Sequence, residues 1–130
     1  MNNGRINDRI VAAVDRLRVR PDDFILEVGC GHGLAVDLIC QRLVTGKVVA
    51  IDRSSKMISA AVRRNAEHIT SGRAEFHVCD LEDFDPAGRP FDAILALRVR
   101  IFHREPRKAR HLIAAYLKPG GRIVAEYDEP

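Results

Sequence analysis

The sequence predicts a doubly wound α/β domain: a mainly parallel five-stranded sheet in the order 3-2-1-4-5, with helices on both faces. Three observations predict it. Short apolar runs alternate with segments of helical spacing along the chain. Three of the early runs lack clean polar alternation, as expected of strands covered on both faces. A glycine-rich bend, Gly29-Cys30-Gly31-His32-Gly33, joins the first run to the helix after it. Parallel strands need right-handed crossovers, so a ligand crevice is expected at their carboxyl ends, where the strand order reverses.

Each element has its own signal. Ile6, Ile10, Val11, Val14 and Leu17 share a helical face, with Asn3 or Asn7 as N-cap, and Pro21-Asp22-Asp23 ends the pattern. Then follow a strand over 24–28, a helix over 34–43, a strand over 48–51, a helix over 55–69 and a strand over 74–78. The second half repeats the rhythm with a strand over 91–97 and a helix over 106–117. A turn, Lys118-Pro119-Gly120-Gly121, leads to a last strand over 122–127. No repeat or linker interrupts, which makes residues 1–130 one domain.

Composition narrows the class. With 46% of the 130 residues hydrophobic and 30% charged, the chain suits a compact core, and 21 Lys and Arg against 18 Asp and Glu leave too small an excess to imply a nucleic-acid partner. Cys30, Cys40 and Cys79 include no CxxC pair, which fits free thiols in a reducing compartment and no metal. Arg5, Asp8, Arg9, Asp15 and Arg16 interrupt the first 17 residues, so they do not read as a signal peptide, and no run approaches the roughly 18 apolar residues of a membrane span. The expectation is a cytoplasmic protein with no membrane contact.

The chemistry centres on Glu27-Val28-Gly29-Cys30-Gly31-His32-Gly33. Glycines there permit a tight turn and a close main-chain approach to a nucleoside, and the next helix offers free N–H groups to a carboxylate. A nicotinamide fingerprint would need glycine at Leu34. An acid followed by G-x-G-x-G instead resembles the first motif of class I, Rossmann-like, S-adenosylmethionine-dependent methyltransferases. Asp52 ends the second strand, Asp80-Leu81 ends the third, Phe91-Asp92 opens the fourth and Leu117-Lys118-Pro119-Gly120-Gly121 precedes the fifth, extending the resemblance over roughly 23–127. Members of that family continue with a helix and two antiparallel strands, so the chain resembles a short form.

The resemblance implies S-adenosylmethionine as cofactor. It sets Gly29, Gly31 and Gly33, with Cys30 in the same bend, against the methionine portion and Glu27 near its amino group. Asp52 would grip the ribose hydroxyls, Asp80 would accept from the adenine amino group, and Leu81 would give a main-chain contact and an apolar wall. Arg53 and Met57 fall near the adenine edge. Other roles compete: Asp52 as an N-cap, Asp80 as a turn acid beside Glu82, Asp83 and Asp85, Met57 as core, Cys79 as a buried thiol, and His32, His68 and His77 as solvated or structural groups.

Methyl transfer from a sulfonium is an in-line displacement with a neutral leaving group, so positioning supplies much of the acceleration. The acceptor in such enzymes meets the methyl group after the fourth strand, here Leu97-Arg98-Val99-Arg100-Ile101-Phe102-His103. This segment lacks the Asn/Asp-Pro-Pro-Tyr/Phe and Pro-Cys signatures of base-modifying relatives, and Arg98 stands where a magnesium-dependent type would carry a carboxylate. Arg98 and Arg100 are the candidate substrate-binding residues and His103 the candidate base, with a small-molecule acceptor expected. Two other readings are a noncatalytic S-adenosylmethionine-binding or partner module, and a nucleic-acid-binding domain using the basic segment 98–111, with Arg104, Arg107, Lys108, Arg110 and His111. The apolar edge strand 122–127 predicts pairing with a second copy or a partner subunit.

Overall fold

The computed structural model describes residues 2–97, 99, 101 and 104–126. Five strands form one parallel sheet in the order β3-β2-β1-β4-β5: β1 Phe24–Val28, β2 Lys47–Asp52, β3 Ala74–Val78, β4 Phe91–Leu97 and β5 Leu117–Glu126. The described residues include the helices α1 Asn2–Leu17, α2 Leu34–Cys40, α3 Ser55–Arg64, α4 Ala66–Thr70 and α5 Pro106–Tyr116.

The absence of polar alternation in the central strands has a direct cause: successive residues serve two different cores. Ile25, Val48, Ala50, Ala93 and Leu95 face one side, where Val14, Leu17, Val36, Ile39 and Ala61 of α1, α2 and α3 meet them. Leu26, Val28, Val49, Ile51, Ile94 and Ala96 face the other, packed with Ile113 of α5. A period of two along a strand therefore splits an unbroken apolar run between two layers.

Several boundaries differ from the sequence reading. Helix α1 begins at Asn2, so Asn3 and Asn7 lie inside it and are not its cap. Its buried stripe runs through Ala13, Val14 and Leu17 with Ile10 half-buried, while Val11 is exposed, because 10, 13, 14 and 17 hold the helical spacing and 11 rotates off it. Helix α2 stops at Cys40, and a tighter turn brings the amides of Arg42 and Leu43 to the carbonyls of Ile39 and Cys40. The predicted helix over 55–69 is two helices broken at Asn65, whose side chain bonds the carbonyls of Ala61 and Gly33 and so competes with the backbone ladder.

The last strand also starts earlier. Leu117 already pairs with Phe91, and Arg122 next pairs with Ala93, so Lys118–Gly121 is an irregularity inside β5 and not a turn before it. Pro119 has no N–H to give the ladder. Strand β5 is an edge of the described sheet with Ile123 44% exposed, and Tyr127 lies outside the described residues. Among the described residues no helix is long and apolar enough to cross a membrane.

Candidate cofactor site

Strands β1 and β4 are neighbours, and the chain order reverses between them. Such a point leaves a crevice outside the carboxyl ends of the strands. The bend after β1 leans over β2: the amides of Gly29 and Cys30 donate to the Ile51 carbonyl at 2.8 and 3.1 Å. Asp52, at the tip of β2, accepts from the Gly31 amide through Oδ2 at 2.9 Å and from the Ser54 amide through Oδ1 at 2.9 Å. Its main-chain carbonyl takes the Cys79 amide at 3.1 Å, which draws the end of β3 alongside. The tips of β1, β2 and β3 are thus tied to one another through Asp52. Each carboxylate oxygen keeps a further lone pair for a ligand.

Two hollows open on these tips and share Gly29. One, of about 330 Å³, is walled by Glu27, Cys30 and Gly31 with Ile6 and Ile10 of α1 and Leu97 of β4. The other, of about 470 Å³, is walled by Asp52, Arg53, Cys79, Asp80 and Leu81 with Val99. At Gly29 the backbone has φ +74°, and a Cβ would meet the Val99 Cγ2 at 2.8 Å, so only glycine fits between the hollows.

Glu27 is 2% exposed, and its Oε1 has no hydrogen-bond partner among the described residues. Burial, with the Asp52 charge second, pushes its carboxyl up from 4.5 to about 8. An unpaired buried acid on the wall of a hollow suits a cation. Burial and the nearby acids also push the Cys30 and Cys79 thiols up, which disfavours thiolate chemistry at either.

Of the residues singled out from sequence, Glu27, Gly29, Cys30 and Gly31 meet in the first hollow, and Asp52, Arg53, Asp80 and Leu81 in the second. Gly33 and Met57 line neither. A Cβ on Gly33 would meet the Asn65 Nδ2 at 2.6 Å and the Ala61 Cβ at 2.9 Å, so this glycine lets α3 pack against the bend. Met57 is half-buried, and its amide donates to the Ser54 hydroxyl, which is the N-cap of α3 in place of Asp52. His32 is exposed at the first hollow, His68 pairs with Asp37 at 2.7 Å, and His77 pairs with Glu75. Arg98, Arg100 and His103 lie outside the described residues. Sequence reasoning missed Arg64, which lines the first hollow, and Asn65. Both sit at the end of a helix distant in sequence from the bend they approach, and spacing gives no signal for that.

A family model described as a methyltransferase domain matches residues 25–121, a span that contains both hollows' strand tips. The chain belongs to this methyltransferase family. It is 34% identical over 96 residues to the magnesium-protoporphyrin O-methyltransferase of Rhodobacter capsulatus, covering 71% of this chain and 41% of that protein. It is 30% identical over 131 residues to the trans-aconitate 2-methyltransferase of Azoarcus sp. (strain BH72), covering 95% of this chain and 49% of that one. The chain thus spans less than half the length of either relative. A solved S-adenosylmethionine-dependent methyltransferase from Thiobacillus denitrificans, in complex with S-adenosyl-L-homocysteine, superposes with a TM-score of 0.76 at 20% identity. It covers 89% of this chain and 46% of that one, and the likeness establishes a common fold. In this methyltransferase domain the acid before the glycines, the acid ending β2 and the acid just after β3 all stand around two cavities that share Gly29.

Proposed function

We propose that the domain binds S-adenosylmethionine across the two hollows that share Gly29 and transfers its methyl group to a small-molecule acceptor. The observation that carries this reading is the buried, unpartnered Glu27 oxygen beside a hollow that shares Gly29 with the one holding Asp52 and Asp80. The residues fit the group. Glu27 offers a carboxyl that a bound ammonium would draw into its charged form, Gly29 and Gly31 leave room for the tail, Asp52 offers free lone pairs to vicinal hydroxyls, and Asp80 with Leu81 offers an acceptor and an apolar wall to the base. Bound there, the cofactor supplies an electrophilic methyl on a sulfonium that departs as a neutral thioether.

The chain's own contribution is orientation and desolvation, with no acid or base needed from the described residues. Gly33 and Met57 support the bend and α3 without touching the cofactor. Acceptor contacts are assigned to Arg98 and Arg100, with His103 as the base for acceptors that must lose a proton. A small molecule is preferred over a nucleic acid because two acids stand against the basic segment, Glu105 within it and Glu82 beside it. Lys108 is paired with Glu82 at 3.1 Å, and Glu105 stands beside Arg104 at the second hollow. The relatives named above carry small molecules, magnesium-protoporphyrin and trans-aconitate, in their names.

Calorimetric titration with S-adenosylmethionine and S-adenosylhomocysteine tests the reading. Binding of both is expected, weakened roughly tenfold or more in Asp52→Ala by the loss of charged hydrogen bonds. No binding of either ligand to the unaltered protein ends the cofactor reading. Binding without methyl transfer to any component of a metabolite extract turns the domain into a noncatalytic module.

A further inference from the structure

The first hollow carries charge of both signs. Glu27 stands on its wall with no partner, and the last residue of α3, Arg64, lines the same space. Among the described residues Arg64 makes no hydrogen bond or ion pair, whereas Glu126, also on the wall, is matched by Arg16. One acid and one base, each unanswered among the described residues, face a cavity of about 330 Å³. That is the charge pattern of a zwitterion's receptor.

The position of Arg64 is fixed from behind. Asn65 is fully buried, and its Nδ2 donates to the Gly33 carbonyl at 3.1 Å and to the Ala61 carbonyl at 2.9 Å. A side-chain tie to the glycine bend one residue along thus holds the Arg64 backbone beside the hollow, leaving only its side chain to order on binding. The start of α2 is a weaker anion receiver. That helix has seven residues, and its first turn already holds the Asp37 carboxylate.

We infer that Arg64 receives the carboxylate of the cofactor's amino-acid end, opposite the ammonium at Glu27, and so makes the site selective for nucleosides that carry an intact amino acid. This rests on the cofactor reading above. Arg64 is exposed, and exposed side chains without partners are replaced at little cost to the fold. A guanidinium binds a carboxylate through two parallel N–H groups, a geometry lysine cannot reproduce.

The test compares two ligands on four proteins. S-adenosylhomocysteine keeps the amino acid, and 5′-methylthioadenosine lacks it. Both are titrated into the unaltered domain and into Arg64→Ala, Arg64→Lys and Arg9→Ala, with thermal unfolding of each apoprotein as the folding control. The expected result is a loss of roughly 10- to 100-fold for S-adenosylhomocysteine in Arg64→Ala, partly recovered in Arg64→Lys. Methylthioadenosine should bind all four alike. Unchanged S-adenosylhomocysteine affinity in Arg64→Ala, an equal loss for both ligands, or a selective loss confined to Arg9→Ala overturns the inference while the cofactor reading stands. An unaltered domain that binds neither ligand removes both.

Discussion

Glu27 shows how a single side chain can oppose the fold that holds it. Its carboxyl is raised from 4.5 to about 8, so the folded protein holds this proton more tightly than the unfolded chain does. The contribution is fully present below the unfolded value, shrinks as pH rises from 4.5 and is gone above about 8, where the buried group must carry charge. Glu27→Gln should therefore unfold at a higher temperature than the unaltered apoprotein near pH 8.5, with the difference vanishing near pH 4. The same substitution should weaken S-adenosylhomocysteine by about tenfold or more, and it should flatten the rise in affinity with pH up to about 8 that is expected of the unaltered protein. Unfolding curves and titrations across pH check both halves. That Glu27, Gly29, Asp52 and Asp80 gather at the strand tips was legible in the sequence, because a parallel strand ending in an acid or glycine has few places to put it. Arg64 was not, since a lone arginine at a helix end looks like any solvated charge.

Among the elements, the break between α3 and α4 is the most instructive. Met57, Ile58, Ala61, Val62 and Ile69 keep helical spacing through Asn65, so periodicity predicts one continuous helix. What interrupts it is a bond from Asn65 to a carbonyl 32 residues earlier, which no local pattern contains. Asn65→Ala should lower stability by about 1 kcal/mol, measured from urea unfolding, because the tie from α3 to the Gly33 carbonyl is lost while that carbonyl keeps the Asp37 amide. Amide exchange in the bend should accelerate with it, and an unchanged bend would show that the tie is only structural within α3. Strand β5 makes the complementary point. The pair Gly120-Gly121 reads as a turn from sequence, yet pairing with β4 resumes across it, because a bulge absorbs extra residues without ending a strand.

Across the whole molecule, strand order was readable because crossovers of one hand leave few windings of alternating strands and helices. The contacts that close the molecule were not. Asp23, at the foot of β1 and 3% exposed, pairs with Arg122 of β5, while the Arg122 Nε donates to the Leu17 carbonyl at the end of α1 at 3.0 Å. Arg122 thus joins the opening helix, the central strand and the edge strand, 99 residues from its acid. Arg122→Ala should cost about 2–3 kcal/mol, since it leaves a buried carboxylate without its counter-charge, and Asp23→Asn in the same protein should recover part of that loss. Equilibrium unfolding of the two variants decides it.

Gly29 belongs to both hollows, and that sharing bears on how tightly anything is held. Adenosine and methionine offered as separate molecules would each dissociate readily. Joined through one sulfur, either half keeps the other at high effective concentration, so avidity would rise steeply without a single added contact. Affinity then resides in the bridge, and a larger side chain at Gly29 would sever it even if both ends of the site stayed in place.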